Sequence, residues 1–180
     1  MKKIFLFCLI VLSNYTINAQ ESAVKVNPFA FLWGSDLVSY ERMITDNSSG
    51  IIGVGVGGYN FGGAKYSNTG AEIQYRRYFE EVLNGWYAGG FAAYTSGKVE
   101  IEGSSILPGF GVEDNETKFT SIRIGAKGGY QWIWDSGFLL DLNLGFAYSK
   151  FNYDNSDSAF SSLKASGVLP SGSIAIGYSF

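Results

Sequence analysis

The run Phe138-Leu139-Leu140-Asp141-Leu142-Asn143-Leu144-Gly145-Phe146-Ala147-Tyr148-Ser149 changes character at every second residue. Phe138, Leu140, Leu142, Leu144, Phe146 and Tyr148 share one face, and Asp141, Asn143, Gly145, Ala147 and Ser149 share the other. Successive side chains of a β-strand point to opposite faces, so this spacing predicts a strand with one apolar side and one small or polar side.

The same period extends to both neighbours. At the C-terminus Ile174, Ile176, Tyr178 and Phe180 oppose Ser171, Ser173, Ala175, Gly177 and Ser179. Residues 119–134 set Ile122, Ile124, Ala126, Tyr130, Trp132 and Trp134 against Ser121, Arg123, Gly125, Lys127, Gly129 and Gln131. Between them Asp135-Ser136-Gly137 reads as a short hairpin loop. Further upstream the pattern predicts strands at 23–33, 36–44, 51–61, 70–79 and 86–98, with a bulge at Pro28, which cannot donate to a ladder. In 86–98 both faces carry rings, since Trp86 and Tyr94 oppose Tyr87 and Phe91. About eight strands result. The links at 45–50, 80–85 and 135–137 are short, and those at 62–69, 99–118 and 152–167 are longer and polar, with the brief 34–35 link as the exception. Both termini fall on the short-turn side, an arrangement expected of outer-membrane barrels.

Which face is wet decides the class. An eight-strand barrel has an interior just wide enough for side chains to fill, too narrow for the many Leu, Ile, Phe, Trp and Tyr of the apolar face. Those residues are therefore expected to face lipid, and a sheet in lipid must close to satisfy its backbone. The expected fold is all-β: a closed, up-and-down antiparallel transmembrane β-barrel. Phe79, Trp132, Trp134, Phe138, Tyr178 and Phe180 would form an aromatic girdle at the terminal end, and Phe31, Trp33, Phe61 and Tyr148 one at the other. The alternating Ile176, Tyr178 and terminal Phe180 resemble the C-terminal signal read by barrel-assembly machinery. The rival reading is a soluble periplasmic, lipocalin-like ligand-binding barrel.

Residues 1–19 have the layout of a secretory signal peptide: Lys2 and Lys3, an apolar run from Ile4 to Leu12, and a cleavage site expected after Ala19. The barrel domain is then 20–180. The apolar run is too short for a spanning helix, and Cys8 inside it does not suit a lipoprotein. Cleavage removes the only cysteine, hence any disulfide or thiol chemistry, and leaves 11 basic against 16 acidic residues. No basic tract remains for nucleic acid.

The inward register collects Glu41, Glu72, Arg76, Arg123, Lys127 and Asp141. Three acids and three bases in a tight interior must pair, since a buried charge without a partner is costly. A polar plug is the plain reading, and a narrow ion or proton conduit is the alternative. Arg42 and Arg77 fall outward and would snorkel toward headgroups. The chain has no histidine, which removes the usual general base and the commonest zinc ligand, so no catalytic, cofactor or metal site is expected. Glu100, Glu102, Glu113, Asp114 and Glu116 could bind calcium or the cations of a lipopolysaccharide surface, or simply be solvated. The stretch Gly53-Val54-Gly55-Val56-Gly57-Gly58 lacks the following helix that a nucleotide fingerprint needs.

Several stretches also resemble a known series. They are Lys25-Val26-Asn27-Pro28-Phe29, Val38-Ser39-Tyr40-Glu41-Arg42 and Glu72-Ile73-Gln74-Tyr75-Arg76-Arg77-Tyr78-Phe79, with Gly85-Trp86-Tyr87-Ala88-Gly89 and Gly128-Gly129-Tyr130-Gln131-Trp132. Together they resemble a family of small outer-membrane proteins of Bacteroidota classed as a domain of unknown function, number 3575. The resemblance implies an outer-membrane barrel without an assigned activity, and it implies lumen positions for Glu41 and Arg76. The expected partners are outer-membrane lipid, the assembly machinery and a surface partner met through the loops.

Overall fold

The computed structural model describes residues 21–32, 34–61, 64–101, 115–154 and 166–180. Eight strands form one closed barrel: β1 (Ser22–Val26), β2 (Val38–Thr45), β3 (Ser48–Phe61), β4 (Ala64–Tyr78), β5 (Gly85–Ile101), β6 (Asn115–Ile133), β7 (Phe138–Tyr153) and β8 (Gly167–Ser179). Each pairs antiparallel with the next, and β1 pairs with β8 to close the ring. Closure gives every strand two neighbours over at least part of its length. The signal-peptide reading and its cleavage site lie outside the described residues.

Inward side chains are the odd-numbered ones in β1, β3, β5, β6, β7 and β8, and the even-numbered ones in β4. Glu41, Lys127 and Asp141 are buried, whereas Leu144 is 78% exposed, Val168 69% and Ile73 60%. The barrel is polar within and apolar without. Arg76 points inward and Arg77 outward, as the alternation predicts. In β5, Tyr87 and Phe91 are inside while Trp86 and Tyr94 are outside.

Three expectations need correction. The first strand does not run to residue 33. It stops at Val26, and Pro28–Leu32 form one turn of 3-10 helix rather than a bulge. The cause is local: the Asn27 side chain accepts a hydrogen bond from the Phe29 amide, and the Asn27 carbonyl accepts one from Ala30, a turn that Asn-Pro favours. The reading of 62–69 as a loop also fails. Strands β3 and β4 pair out to Phe61 and Ala64, because Tyr59 and Tyr66 stack across the hairpin at 5.0 Å. The 45–50 connection is shorter than expected, a turn at 46–47.

Two connections fold into the barrel. At the end bearing the termini, Leu83 adopts φ 67° and is buried, a strained conformation for leucine costing about 1–3 kcal/mol. Its carbonyl accepts a 2.6 Å hydrogen bond from Gln131 Nε2, which holds the turn inward. At the other end the chain from Gly34 to Leu37 lies against the inner faces of Gly53 and Gly55. A Cβ on Gly55 would sit 3.0 Å from Gly34 C and Leu37 N. Side chains there would leave no room for the inserted segment, which accounts for glycine on the lumen face.

Candidate functional site

The buried charges sit in two tiers. The tier nearer the termini joins Lys25 of β1, Glu41 of β2, Arg76 of β4 and Asp141 of β7. Lys25 Nζ lies 2.6 Å from Glu41 and 2.9 Å from Asp141; Arg76 Nη1 lies 2.7 Å from Asp141 and 3.7 Å from Glu41. The two carboxylates are held alike. One oxygen of each faces both cations, and the other accepts from a tyrosine: Tyr78 to Glu41 at 2.8 Å and Tyr87 to Asp141 at 2.6 Å. Ser49 also donates to Glu41. Gln131 Oε1 accepts from Lys25 at 3.2 Å and from Arg76 at 3.3 Å, and the Arg76 guanidinium lies 4.0 Å over the Tyr87 ring. Two positive and two negative charges, each with several partners, meet the condition for burying ions without a large desolvation loss.

The second tier joins Glu72 of β4 with Arg123 and Lys127 of β6. Lys127 Nζ donates to Glu72 at 2.6 Å, and Arg123 Nη2 lies 3.9 Å from the other Glu72 oxygen. The inserted segment contributes here. Ser35 accepts from Arg123 Nη2 at 2.6 Å, and Asp36 joins Glu72, Arg123 and Lys127 around a cavity of about 50 Å³. Asp36 brings this tier to two acids and two bases. Gln74 links the tiers, donating to Glu72 at 2.5 Å and accepting from Arg76 Nε at 3.2 Å.

All six charges expected inside are therefore brought together, five of them buried and Arg123 partly so. Lys25 and Asp36 complete the set and were not anticipated. Nor were the large inward side chains Tyr78, Phe119 and Leu139, while of the two ring-bearing faces of 86–98 it is Tyr87 and Phe91 that lie inside, so the lumen admits rings as well as small and charged groups. Lys127 lies 4.0 Å over the Phe91 ring, as Arg76 does over Tyr87, so these two rings serve the buried cations as well as filling space.

Of the terminal-end aromatics, Phe79, Trp132, Trp134, Phe138 and Tyr178 are exposed and Phe180 is half-buried. Trp134 and Phe138 meet at 5.2 Å across the β6–β7 turn, and Tyr130 and Trp132 at 4.4 Å. At the opposite end Tyr148 is exposed, while Trp33 and the side chains of Phe31 and Phe61 lie outside the described residues. Glu102, Glu113 and Asp114 lie outside them too. Glu100 pairs with Lys65 at 3.3 Å and with Lys98, and Lys98 is 3.9 Å from Glu116. Among the described residues no group of acids is arranged to hold a metal.

The quoted motifs now have physical roles. The first supplies Lys25 and the Asn27-Pro28 turn, the second supplies Glu41, and the third supplies Glu72, Gln74, Arg76 and Tyr78. A model of the family described as protein of unknown function, DUF3575, matches residues 4–169. The chain belongs to this family. No curated protein matches it. In this DUF3575 protein the matched stretch contains both ionic tiers.

Proposed function

We propose that this DUF3575 protein is a non-catalytic outer-membrane barrel, its lumen plugged by ion pairs, which presents surface loops for adhesion, envelope integrity or contact with a partner. The reversed polarity carries the reading. Ile52, Val54, Val56, Ile73, Ile122, Ile124, Leu144 and Phe146 form an outward field, and a monomer in water rarely exposes contiguous apolar surface beyond a few hundred Å². Hydrocarbon is the solvent that suits this face. The terminal-end aromatics suit a membrane interface, where rings with one wet edge are favoured. The absence of histidine from the sequence supports a non-catalytic role.

The test is fractionation of cells expressing the full chain, followed by a denaturing gel with and without boiling. The expected protein is in the detergent-extracted outer-membrane fraction and migrates differently when heated. Extraction without detergent would reject the reading. The loop role is tested separately by deleting 103–113 and 156–164, between strands that end at Ile101 and Tyr153 and resume at Asn115 and Gly167. The barrel should fold and any surface-binding phenotype should disappear.

The Gln74 bridge favours a second reading, a proton or ion conduit, because it joins the tiers into one hydrogen-bonded chain along the lumen. Planar-bilayer recordings separate the two, since a plug is silent.

A further inference from the structure

Among the described residues the wall of the barrel is incomplete in the half away from the termini. Strand β1 pairs with β8 only between Val26↔Ile176 and Ala23↔Ser179, and β2 pairs with β3 only as far as Val38↔Val54. Among the described residues, 167–175 of β8 and 55–61 of β3 therefore have no strand partner on their facing sides, and the 3-10 turn at Pro28–Leu32 lies across the interval, close to both strands. The position of Pro170 fits this opening. Ser22 and Phe180 exchange both backbone hydrogen bonds, so even-numbered residues of β8 direct their amides toward β1. Pro170 therefore turns its missing N–H to the open edge, where a strand tolerates proline.

Behind this edge lies a cavity of about 380 Å³. Its wall includes Tyr66, Phe119, Ala147, Phe151 and Leu169, and its polar component includes Arg123. The known contacts of Arg123, with Ser35 and Glu72, both use Nη2, whereas a guanidinium carries five N–H donors. A mainly apolar pocket of this size with one convergent cation suits a small amphiphile.

We propose that this cavity binds the acyl chain of a carboxylate amphiphile, with Arg123 receiving the head group. The cavity and its cation do not depend on the membrane reading above.

The experiment uses the full-length barrel held in amphipol, with a dansyl-labelled undecanoic acid as probe and decanoic acid or decanol as competitor. Saturable binding is expected, with decanol roughly tenfold the weaker competitor, since a hydrogen bond to a charged group is worth that factor or more. Arg123→Gln should abolish the preference for the acid. Ala147→Phe should block binding, with Ser149→Leu as a second filling variant should the first fail to fold. A diazirine-bearing fatty acid should label Leu169, Ser171 or Phe151. No saturable binding by heat-modifiable barrel overturns the proposal, as does binding indifferent to Arg123→Gln and to filling, or label confined to outward residues such as Leu144 and Phe146. Protein soluble without detergent would instead reject the membrane reading, and the same titration would still decide the cavity.

Discussion

Lys25 and Asp141 are 116 residues apart in the chain, and their side chains meet at 2.9 Å in the middle of the barrel. The pair ties the first strand to the seventh across the lumen, although β1 is hydrogen-bonded only to β2 and β8. A five-residue strand has few ladder bonds of its own, so this side-chain tie adds to the β1–β8 ladder that closes the ring.

Removing Lys25 would leave Glu41 and Asp141 to share Arg76. Breaking a buried pair by deleting one partner costs about 3–5 kcal/mol, so Lys25→Met should lower the urea midpoint of the barrel in lipid vesicles by a corresponding amount. Adding Glu41→Gln restores one cation to one carboxylate, and the double variant should recover part of the loss. A single variant that unfolds at the wild-type midpoint would show that the tier contributes nothing to stability.

Leu144 and Ile44 both face outward, but Leu144 lies in the middle of β7 and Ile44 beside the β2–β3 turn. For a barrel in lipid, arginine near mid-bilayer costs about 2–4 kcal/mol and near the interface about 0–1 kcal/mol. Leu144→Arg should destabilise strongly and Ile44→Arg little, read from unfolding in vesicles. In water both substitutions would be harmless, so equal effects would count against the membrane reading.

The alternation in β6, β7 and β8 is legible in sequence because polar and apolar residues separate cleanly there; the facing of Arg123, Lys127 and Asp141 follows from it, and that of Arg76 from the alternation of Glu72, Gln74 and Arg76 with Ile73 and Tyr75 in β4. Lys25 escaped notice because β1 offers only Val24 and Val26 as an outward set before Asn27-Pro28 ends it. Asp36 opens the stretch expected as strand 36–44, but the strand begins at Val38 and the chain before it turns inward, so the strand period does not apply there. Tyr78, Tyr87 and Phe119 are inside for a reason polarity does not encode: a phenol can donate to a buried carboxylate, and a ring can pack against others, as Phe119 does on Tyr66 at 5.4 Å. The motifs include Lys25, Glu41, Glu72 and Arg76, half of the tier charges, without showing that they meet.

The glycines under the inserted segment give a third prediction. A side chain at Gly55 would displace Gly34–Leu37, since even a Cβ meets two of its backbone atoms at 3.0 Å. Gly55→Val should therefore release Ser35 from Arg123 and increase amide hydrogen exchange across 28–37, measured by mass spectrometry. Gly128 faces outward, and a Cβ there meets only Tyr87 O at 3.6 Å, so Gly128→Ala should leave exchange in that segment unchanged. Equal protection in both variants would mean that the segment does not depend on the glycine surface.

Pro170 and Ser171 test the open edge itself. If even-numbered amides of β8 face the interval, Pro170 interrupts no ladder. Pro170→Ala then acts chiefly on the unfolded chain, with an effect below about 1 kcal/mol. Ser171 pairs with Gly145 of β7, and by the same alternation its amide points to that strand. Ser171→Pro would remove a ladder donor and leave an acceptor unpaired, at about 1–3 kcal/mol. Urea midpoints should therefore separate neighbouring substitutions of opposite sense, one nearly neutral and one costly. Were Pro170→Ala to stabilise the barrel by the full value of a ladder bond, the edge at Pro170 would have to be paired.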